Sequence, residues 1–85
     1  QKLAQVEQAE AILSALGFRH IRVRHLGDHA RIEVGKDEVA RFGEPAVRQQ
    51  VIEPYARLGF RSVGIAREGY QPGGANHPAE EMFIA

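Results

Sequence analysis

The 85-residue sequence contains no cysteine. Disulfide bonds, thiolate zinc sites and a cysteine nucleophile are therefore excluded for this chain on its own. The sequence also lacks an excess of either charge, since 11 basic residues balance 11 acidic ones. Non-specific binding to nucleic acid depends on an excess of Lys and Arg, so this balance predicts no nucleic-acid partner.

Long apolar runs are missing as well. No run approaches the ~20 residues that a helix needs to span a bilayer. The N-terminus lacks the basic-then-apolar layout of a secretory signal. These absences predict a cytoplasmic protein with no membrane contact. The chain begins with Gln1 inside a helical pattern rather than with Met, which indicates a fragment of a longer protein.

Two segments show the apolar periodicity of helices, residues 2–16 and residues 44–58. Pro54 lies inside the second segment and predicts a kink or break there, because proline removes a backbone hydrogen bond. A short helical turn is predicted at residues 36–42. Leu-Gly-Phe-Arg follows each long helix, at residues 16–19 and 58–61, which is typical of a glycine cap followed by the first core residue of a strand.

Residues 18–34 alternate between polar and apolar side chains, as strands do. Gly27-Asp28 supplies the chemistry of a turn. A two-residue turn there sets Val23 opposite Ile32 and Arg22 opposite Glu33, whereas a four-residue loop shifts the pairing but keeps the faces. Either register gives an apolar face for the core and a polar face that carries His20, Arg22, Arg24, Arg31 and Glu33.

A third strand at residues 60–66 completes the order α-β-β-α-β. The predicted fold class is α+β, with two long helices on one face of a three-stranded sheet that contains an antiparallel hairpin. We expect one domain at residues 1–70 and a tail or arm at residues 71–85, which are rich in Gly, Pro and Asn. The apolar residues Met82-Phe83-Ile84 and the small core indicate self-association into a homo-oligomer.

Arg22 and Arg24 have two explanations on pattern alone. Guanidinium is always charged, and its planar fork matches phosphate oxygens, so two arginines on one face can hold one phosphate. Alternatively, Arg22 pairs with Glu33 across the strands on a solvated face, for about 0.2–1 kcal/mol.

Carboxylates and histidines are candidates for a metal site. Glu10, at the edge of the apolar stripe of the first helix, and Glu33, beside the arginines, carry the oxygen donors that Mg²⁺ or Ca²⁺ prefers. Ordinary rim glutamates are the alternative. Three of the four histidines (His20, His25, His29 and His77) lie around the hairpin, but their positions do not form a ligand set and favour partly exposed loop histidines.

The hairpin at residues 17–34, with Leu58-Gly59-Phe60-Arg61 and Glu68-Gly69-Tyr70, resembles the C-terminal domain of the ATP-dependent sacrificial sulfur transferases (LarE-type) of the PP-loop pyrophosphatase superfamily. The similarity covers residues 10–76. It implies a larger parent whose upstream PP-loop domain uses ATP and Mg²⁺ to activate a pyridinium dinucleotide for synthesis of a nickel-pincer cofactor. This chain is then expected to bind a substrate phosphate and to contribute to an oligomer.

By position, the resemblance gives Arg22 and Arg24 a phosphate-binding role, and Glu10 and Glu33 a metal-binding role. Arg41 stands where the family has a further acid, which leaves Asp37 or Glu38 as substitutes. The family's SGGxDS-type phosphate loop and its sulfur-donating cysteine are absent, so the chain is not expected to catalyse the reaction alone. The alternative is a free-standing α+β interaction module whose polar hairpin face binds an acidic protein partner.

Overall fold

The computed structural model describes residues 2–70 and 81–85. Its elements are α1 (Lys2–Ala15), β1 (Ile21–Leu26), β2 (His29–Val34), a 3₁₀ helix (Lys36–Gly43), α2 (Pro45–Arg57), β3 (Ser62–Ala66) and β4 (Glu81–Phe83). This mixed composition agrees with the predicted α+β class. Residues 71–80 of the predicted tail lie outside the described residues. Within the described part of the chain, no helix has the length and apolar character that crossing a membrane requires.

The sheet has four strands in the order β1-β2-β3-β4, one more than predicted. β1 pairs with β2 and β3 pairs with β4 in antiparallel fashion, whereas β2 and β3 are parallel. A parallel pair requires a crossover connection, and here the 3₁₀ helix and α2 supply it. β4 lies in the segment predicted as a tail or arm. A strand of three residues is too short to show a period-two pattern.

The hairpin has the two-residue turn, which is one of the two registers that the sequence allows. Val23 lies opposite Ile32 and Arg22 lies opposite Glu33. Gly27 has a φ of 62°, a value that glycine reaches without a steric penalty. The turn residues set this register, and the alternation places the polar and apolar side chains on the predicted faces.

Both long helices end in the same way, as the repeated Leu-Gly-Phe-Arg predicts. The Phe18 amide donates to the Leu13 carbonyl at 3.2 Å, and the Phe60 amide donates to the Tyr55 carbonyl at 3.1 Å. Pro54 does not break α2, which runs from Pro45 to Arg57. It removes the hydrogen bond to the Gln50 carbonyl, but only three helical residues follow it, so the helix ends soon after the disturbed turn.

One buried cluster forms the core. It combines side chains of both helices, alternate residues of the strands and the aromatic residues that flank them: Ala9, Leu13, Phe18, Val23, Ala30, Ile32, Val34, Phe42, Val47, Val51, Tyr55, Phe60, Val63 and Ile65. The Phe18 and Phe42 rings stack with their centroids 5.0 Å apart. The strand residues of the cluster are those that alternation assigns to the core, so the charged residues between them occupy the other face of the sheet.

Candidate functional site

Arg22 and Arg24 lie on β1, at one edge of the sheet. Both line a cleft of about 410 Å³, together with Val6, Glu10, Val23, His25 and Leu26. The structure therefore brings both predicted phosphate ligands and one predicted metal ligand, Glu10, to the same cleft.

Glu10 approaches this edge from α1. Its Oε2 accepts a hydrogen bond of 3.0 Å from the backbone amide of Val23. An edge strand leaves such amides without a partner strand, and the Glu10 carboxylate satisfies one of them. One oxygen of Glu10 is thus already engaged in holding α1 against β1.

Glu33 forms its ion pair with Arg24 rather than with Arg22. The Nε of Arg24 donates to Oε2 of Glu33 at 2.9 Å. The Glu33 side chain is fully buried, whereas 36% of the Arg24 side chain is exposed. The alternative in which Arg22 pairs with Glu33 on a solvated face is therefore wrong. Glu33 is buried on an inner strand, and it bonds to Arg24, its diagonal neighbour on β1.

Arg22 is exposed and forms no ion pair within residues 2–70 and 81–85. Its guanidinium carbon lies 5.7 Å from the centroid of the Tyr70 ring. A second cleft, of about 260 Å³, lies on this side of Arg22 and is lined by Arg19, His20, Ile21, Arg22 and Tyr70. Arg22 therefore borders two clefts.

The charged contacts continue from Glu33 across the sheet to β4. Nε of Arg31, on β2, lies 3.6 Å from Oε2 of Glu33 and 3.8 Å from Oε2 of Glu81. Glu81 also accepts a contact of 2.7 Å from Nε2 of His29, whose Nδ1 lies 2.8 Å from the Ser62 hydroxyl. Sequence reasoning missed Glu81 because its segment was assigned to the tail. A strand of three residues gave no pattern that could have identified it.

The described residues do not by themselves assemble a metal site. They contain no group of three His, Asp or Glu side chains placed to hold an ion. Glu10 and Glu33 each contact a protein donor, although Oε1 of Glu33 is buried and accepts no hydrogen bond from the described residues. The metal-binding role of the two glutamates stays a prediction.

The two candidate third ligands, Glu38 and Asp37, both contact other groups of the protein. Glu38 is buried and accepts backbone hydrogen bonds from Arg19 at 2.8 Å and from His20 and Gly35 at 3.2 Å. Asp37 forms an exposed ion pair with Arg19 at 3.3 Å.

Arg41, at the position where the resemblance implies a further acid, also contacts other groups of the protein. It donates to the Leu16 carbonyl at 2.7 Å, and its guanidinium lies 4.1 Å from the centroid of the Phe18 ring. The cation thus interacts with the C-terminal end of α1, where a positive charge is favourable.

Among the described residues the histidines are not grouped with other ligands, and two of them are not loop residues. His25 lies on β1, with Nε2 3.0 Å from Oε1 of Gln5, and its ring lies 5.3 Å from the Phe60 ring. His29 lies on β2, and His20 precedes β1 rather than lying within it. His77 is outside the described residues.

No family model matches this chain. The chain is 40% identical over 84 residues to the pyridinium-3,5-bisthiocarboxylic acid mononucleotide synthase of Lactiplantibacillus plantarum, a match that covers 98% of this chain and 29% of the relative. It is 33% identical over 76 residues to the uncharacterized protein slr1717 of Synechocystis, covering 89% of this chain and 28% of that protein. The chain thus spans less than a third of the length of the curated relatives it matches. This similarity relates the chain to the LarE-type sulfur transferases, as the hairpin resemblance predicts.

Proposed function

We propose that this chain is the C-terminal domain of an ATP-dependent sulfur transferase of the LarE type, where it binds a phosphate of a pyridinium nucleotide substrate. The relationship is supported by the similarity over 98% of the chain to a pyridinium mononucleotide synthase. ATP, Mg²⁺ and the sulfur donor are assigned to an upstream PP-loop domain of the parent. The chain alone is then a binding domain rather than an enzyme.

The observation that carries the phosphate proposal is the shared cleft of Arg22 and Arg24. Arg22 has no carboxylate partner among the described residues, and Arg24 uses its Nε toward Glu33, which leaves its two terminal nitrogens for another acceptor. A phosphate monoester offers several oxygens that two guanidinium forks can bind at once. The pair therefore suits the phosphate of a mononucleotide.

Oligomerisation is the second part of this proposal. Leu3 and Phe83 are each 66% exposed and Leu26 is 49% exposed. Contacts between subunits would remove these apolar side chains from water. We propose a cytoplasmic homo-oligomer, which sedimentation equilibrium of the chain over a range of concentrations tests. A single monomeric species throughout that range contradicts this part.

The test of phosphate binding is a titration of the full chain with inorganic phosphate and with nicotinate mononucleotide, followed by calorimetry and NMR. We expect both ligands to shift the side-chain NMR signals of Arg22 and Arg24. Each single alanine variant is expected to lower the phosphate affinity tenfold or more, since a hydrogen bond to a charged group contributes about 1.5–3 kcal/mol. The double variant Arg22→Ala with Arg24→Ala is expected to abolish binding.

A matched control is the double variant Arg57→Ala with Arg61→Ala, which removes the same charge from exposed positions outside the cleft. It is expected to bind phosphate nearly as the parent chain does. Equal affinity in the parent chain and in the Arg22→Ala, Arg24→Ala variant contradicts the assigned site.

A further inference from the structure

The contact between Arg24 and Glu33 assigns a role to a buried carboxylate. We infer that Glu33 is a positioning residue, which orients the Arg24 guanidinium toward the phosphate cleft. This inference rests on the proposed phosphate site and adds a residue that does not itself touch the ligand. It differs from the metal-binding role that the family resemblance implies for Glu33.

The geometry of the hydrogen bond carries the first step. Arg24 donates from Nε, the nitrogen nearest its aliphatic stem, to Oε2 of Glu33 at 2.9 Å. A guanidinium is planar, so a bond at Nε restricts the plane of the group while both terminal nitrogens still have protons to donate. The acceptor is fully buried and the donor is 36% exposed. The inner side of the guanidinium is thus fixed by Glu33, and Arg24 lines the cleft.

Glu33 is itself held in place, which is the second step. It lies on β2, between β1 and β3, with Nε of Arg31 3.6 Å from the same Oε2 that Arg24 contacts. A buried carboxylate requires compensating cations, and two guanidiniums provide them. By contrast, the Arg19–Asp37 pair has both side chains 73% exposed. An exposed pair of that kind holds neither side chain in one orientation, because water competes for each partner.

The two cleft arginines therefore differ. Glu33 lies opposite Arg22 in the register, yet it bonds to Arg24. Arg24 is held before a ligand arrives, whereas the guanidinium of Arg22 interacts with the Tyr70 ring. We expect Arg24→Lys to weaken phosphate binding more than Arg22→Lys, because lysine has no Nε–H donor through which Glu33 can act.

Glu33→Gln is the decisive variant, because simple electrostatics and positioning predict opposite results. Removing a negative charge beside an anion site tightens anion binding if charge alone matters. Positioning predicts that inorganic phosphate binds about tenfold more weakly, a change equivalent to about 1.4 kcal/mol. The titration is performed on the full chain by NMR, once with EDTA and once with Mg²⁺. Unchanged or tighter binding overturns the inference, and so does a loss of affinity that occurs only with Mg²⁺.

A double-mutant cycle tests whether Glu33 acts through Arg24. Positioning predicts that Glu33→Gln has no further effect on phosphate affinity once Arg24→Lys is present. Additive effects of the two changes overturn it. Thermal unfolding of each variant monitors the fold. If Glu33→Gln does not fold, Glu33→Asp keeps the charge but withdraws the carboxylate. It is expected to weaken binding similarly, and affinity equal to that of the parent overturns the inference.

The NMR signal of the Arg24 Nε–H group gives a readout that does not depend on a ligand. We expect this signal to shift in Glu33→Gln, while the side-chain signal of Arg61 stays in place. If the parent chain binds no phosphate, the proposed function is wrong. The Arg24 signal still tests, without any ligand, whether Glu33 orients the Arg24 guanidinium. A shifted signal supports that orientation, and an unchanged signal overturns it.

Discussion

The Tyr55 hydroxyl donates a hydrogen bond of 2.8 Å to the backbone carbonyl of Ala9. Tyr55 lies on α2 and Ala9 on α1, and both are fully buried. The bond connects the helix that supplies Glu10 with the helix that links β2 to β3. The position of Glu10 at the cleft thus depends on a contact that its neighbour Ala9 makes with α2.

Replacing Tyr55 by phenylalanine tests this connection. The ring is retained, but the Ala9 carbonyl loses one donor, so we expect the free energy of unfolding to fall by about 0.5–1.5 kcal/mol. Urea denaturation measures the change. Tyr70→Phe is the control, since the Tyr70 side chain is exposed, and it is expected to change stability by less than about 0.5 kcal/mol. Equal effects of the two changes contradict the assigned bond.

Stability is also expected to depend on Tyr55 at alkaline pH. Burial, with a smaller contribution from the Glu10 charge, raises the pKa of Tyr55 well above its ordinary value of about 10. The folded state keeps this phenol protonated while the unfolded state ionises. Its contribution is therefore complete below pH ~10 and is lost as the pH rises further. Urea denaturation between pH 8 and pH 11 is expected to show a steeper decline for the parent chain than for Tyr55→Phe, and equal slopes refute this.

Glu38 is expected to make the stability of the fold depend on pH in the acid range. Burial alone raises the pKa of Glu38, but backbone amides of Arg19, His20 and Gly35 and the Arg19 charge outweigh it and lower that pKa below 4.5. The stabilising contribution is therefore complete above pH ~4.5 and is lost as the pH falls through the lowered value. Urea denaturation between pH 3 and pH 7 measures this loss.

Substitution of Glu38 is expected to remove part of this acid sensitivity. Glu38→Gln should lower stability at pH 7 by about 1–3 kcal/mol, because an amide is a weaker acceptor and leaves a buried backbone amide poorly bonded. Glu7→Gln, at an exposed position of α1, is the matched control and should have little effect. If the parent chain and Glu38→Gln lose the same stability between pH 7 and pH 3, this role of Glu38 is contradicted.

Gly64 is expected to tolerate no side chain. A Cβ at this position meets the Glu81 carboxylate and lies 3.2 Å from Cε1 of His29. Gly64→Ala should therefore displace Glu81, loosen β4 and cost about 1–3 kcal/mol. Amide hydrogen exchange at Ile84, whose N–H donates to the Val63 carbonyl at 2.9 Å, reports on β4. Gly43→Ala, with nothing within 4 Å of the new methyl group, is the control. Unchanged exchange at Ile84 contradicts the prediction.

Local patterns predicted much of this fold. The alternation around Gly27-Asp28 predicted the hairpin and its two faces, with the observed register as one of two alternatives, and the two Leu-Gly-Phe-Arg segments predicted the helix ends. Each of these features depends on residues that are close in sequence. Strand parity also placed Arg22 and Arg24 on one side, where they share a cleft.

Strand parity predicts the face on which a residue lies but not how deeply it is buried, so it did not predict the burial of Glu33. Its burial depends on the position of β2 between two other strands, and the pairing of His29 with Ser62 that creates this position is non-local. The contact between Glu33 and Arg24 likewise depends on side-chain conformation rather than on register. The burial of Glu33 therefore depends on β3, which is distant from it in the sequence.

The mixed pairing of the sheet also determines the order in which the site can assemble. Arg24 and Glu33 are nine residues apart within one hairpin, whereas His29 and Glu81 are 52 residues apart. Hairpins form in about 1–10 μs, and contacts between distant segments form more slowly because more chain must first be ordered. We therefore expect the arginine and its positioning carboxylate to meet early in folding. The strand that carries Glu81 then joins a sheet in which that pair is already in place.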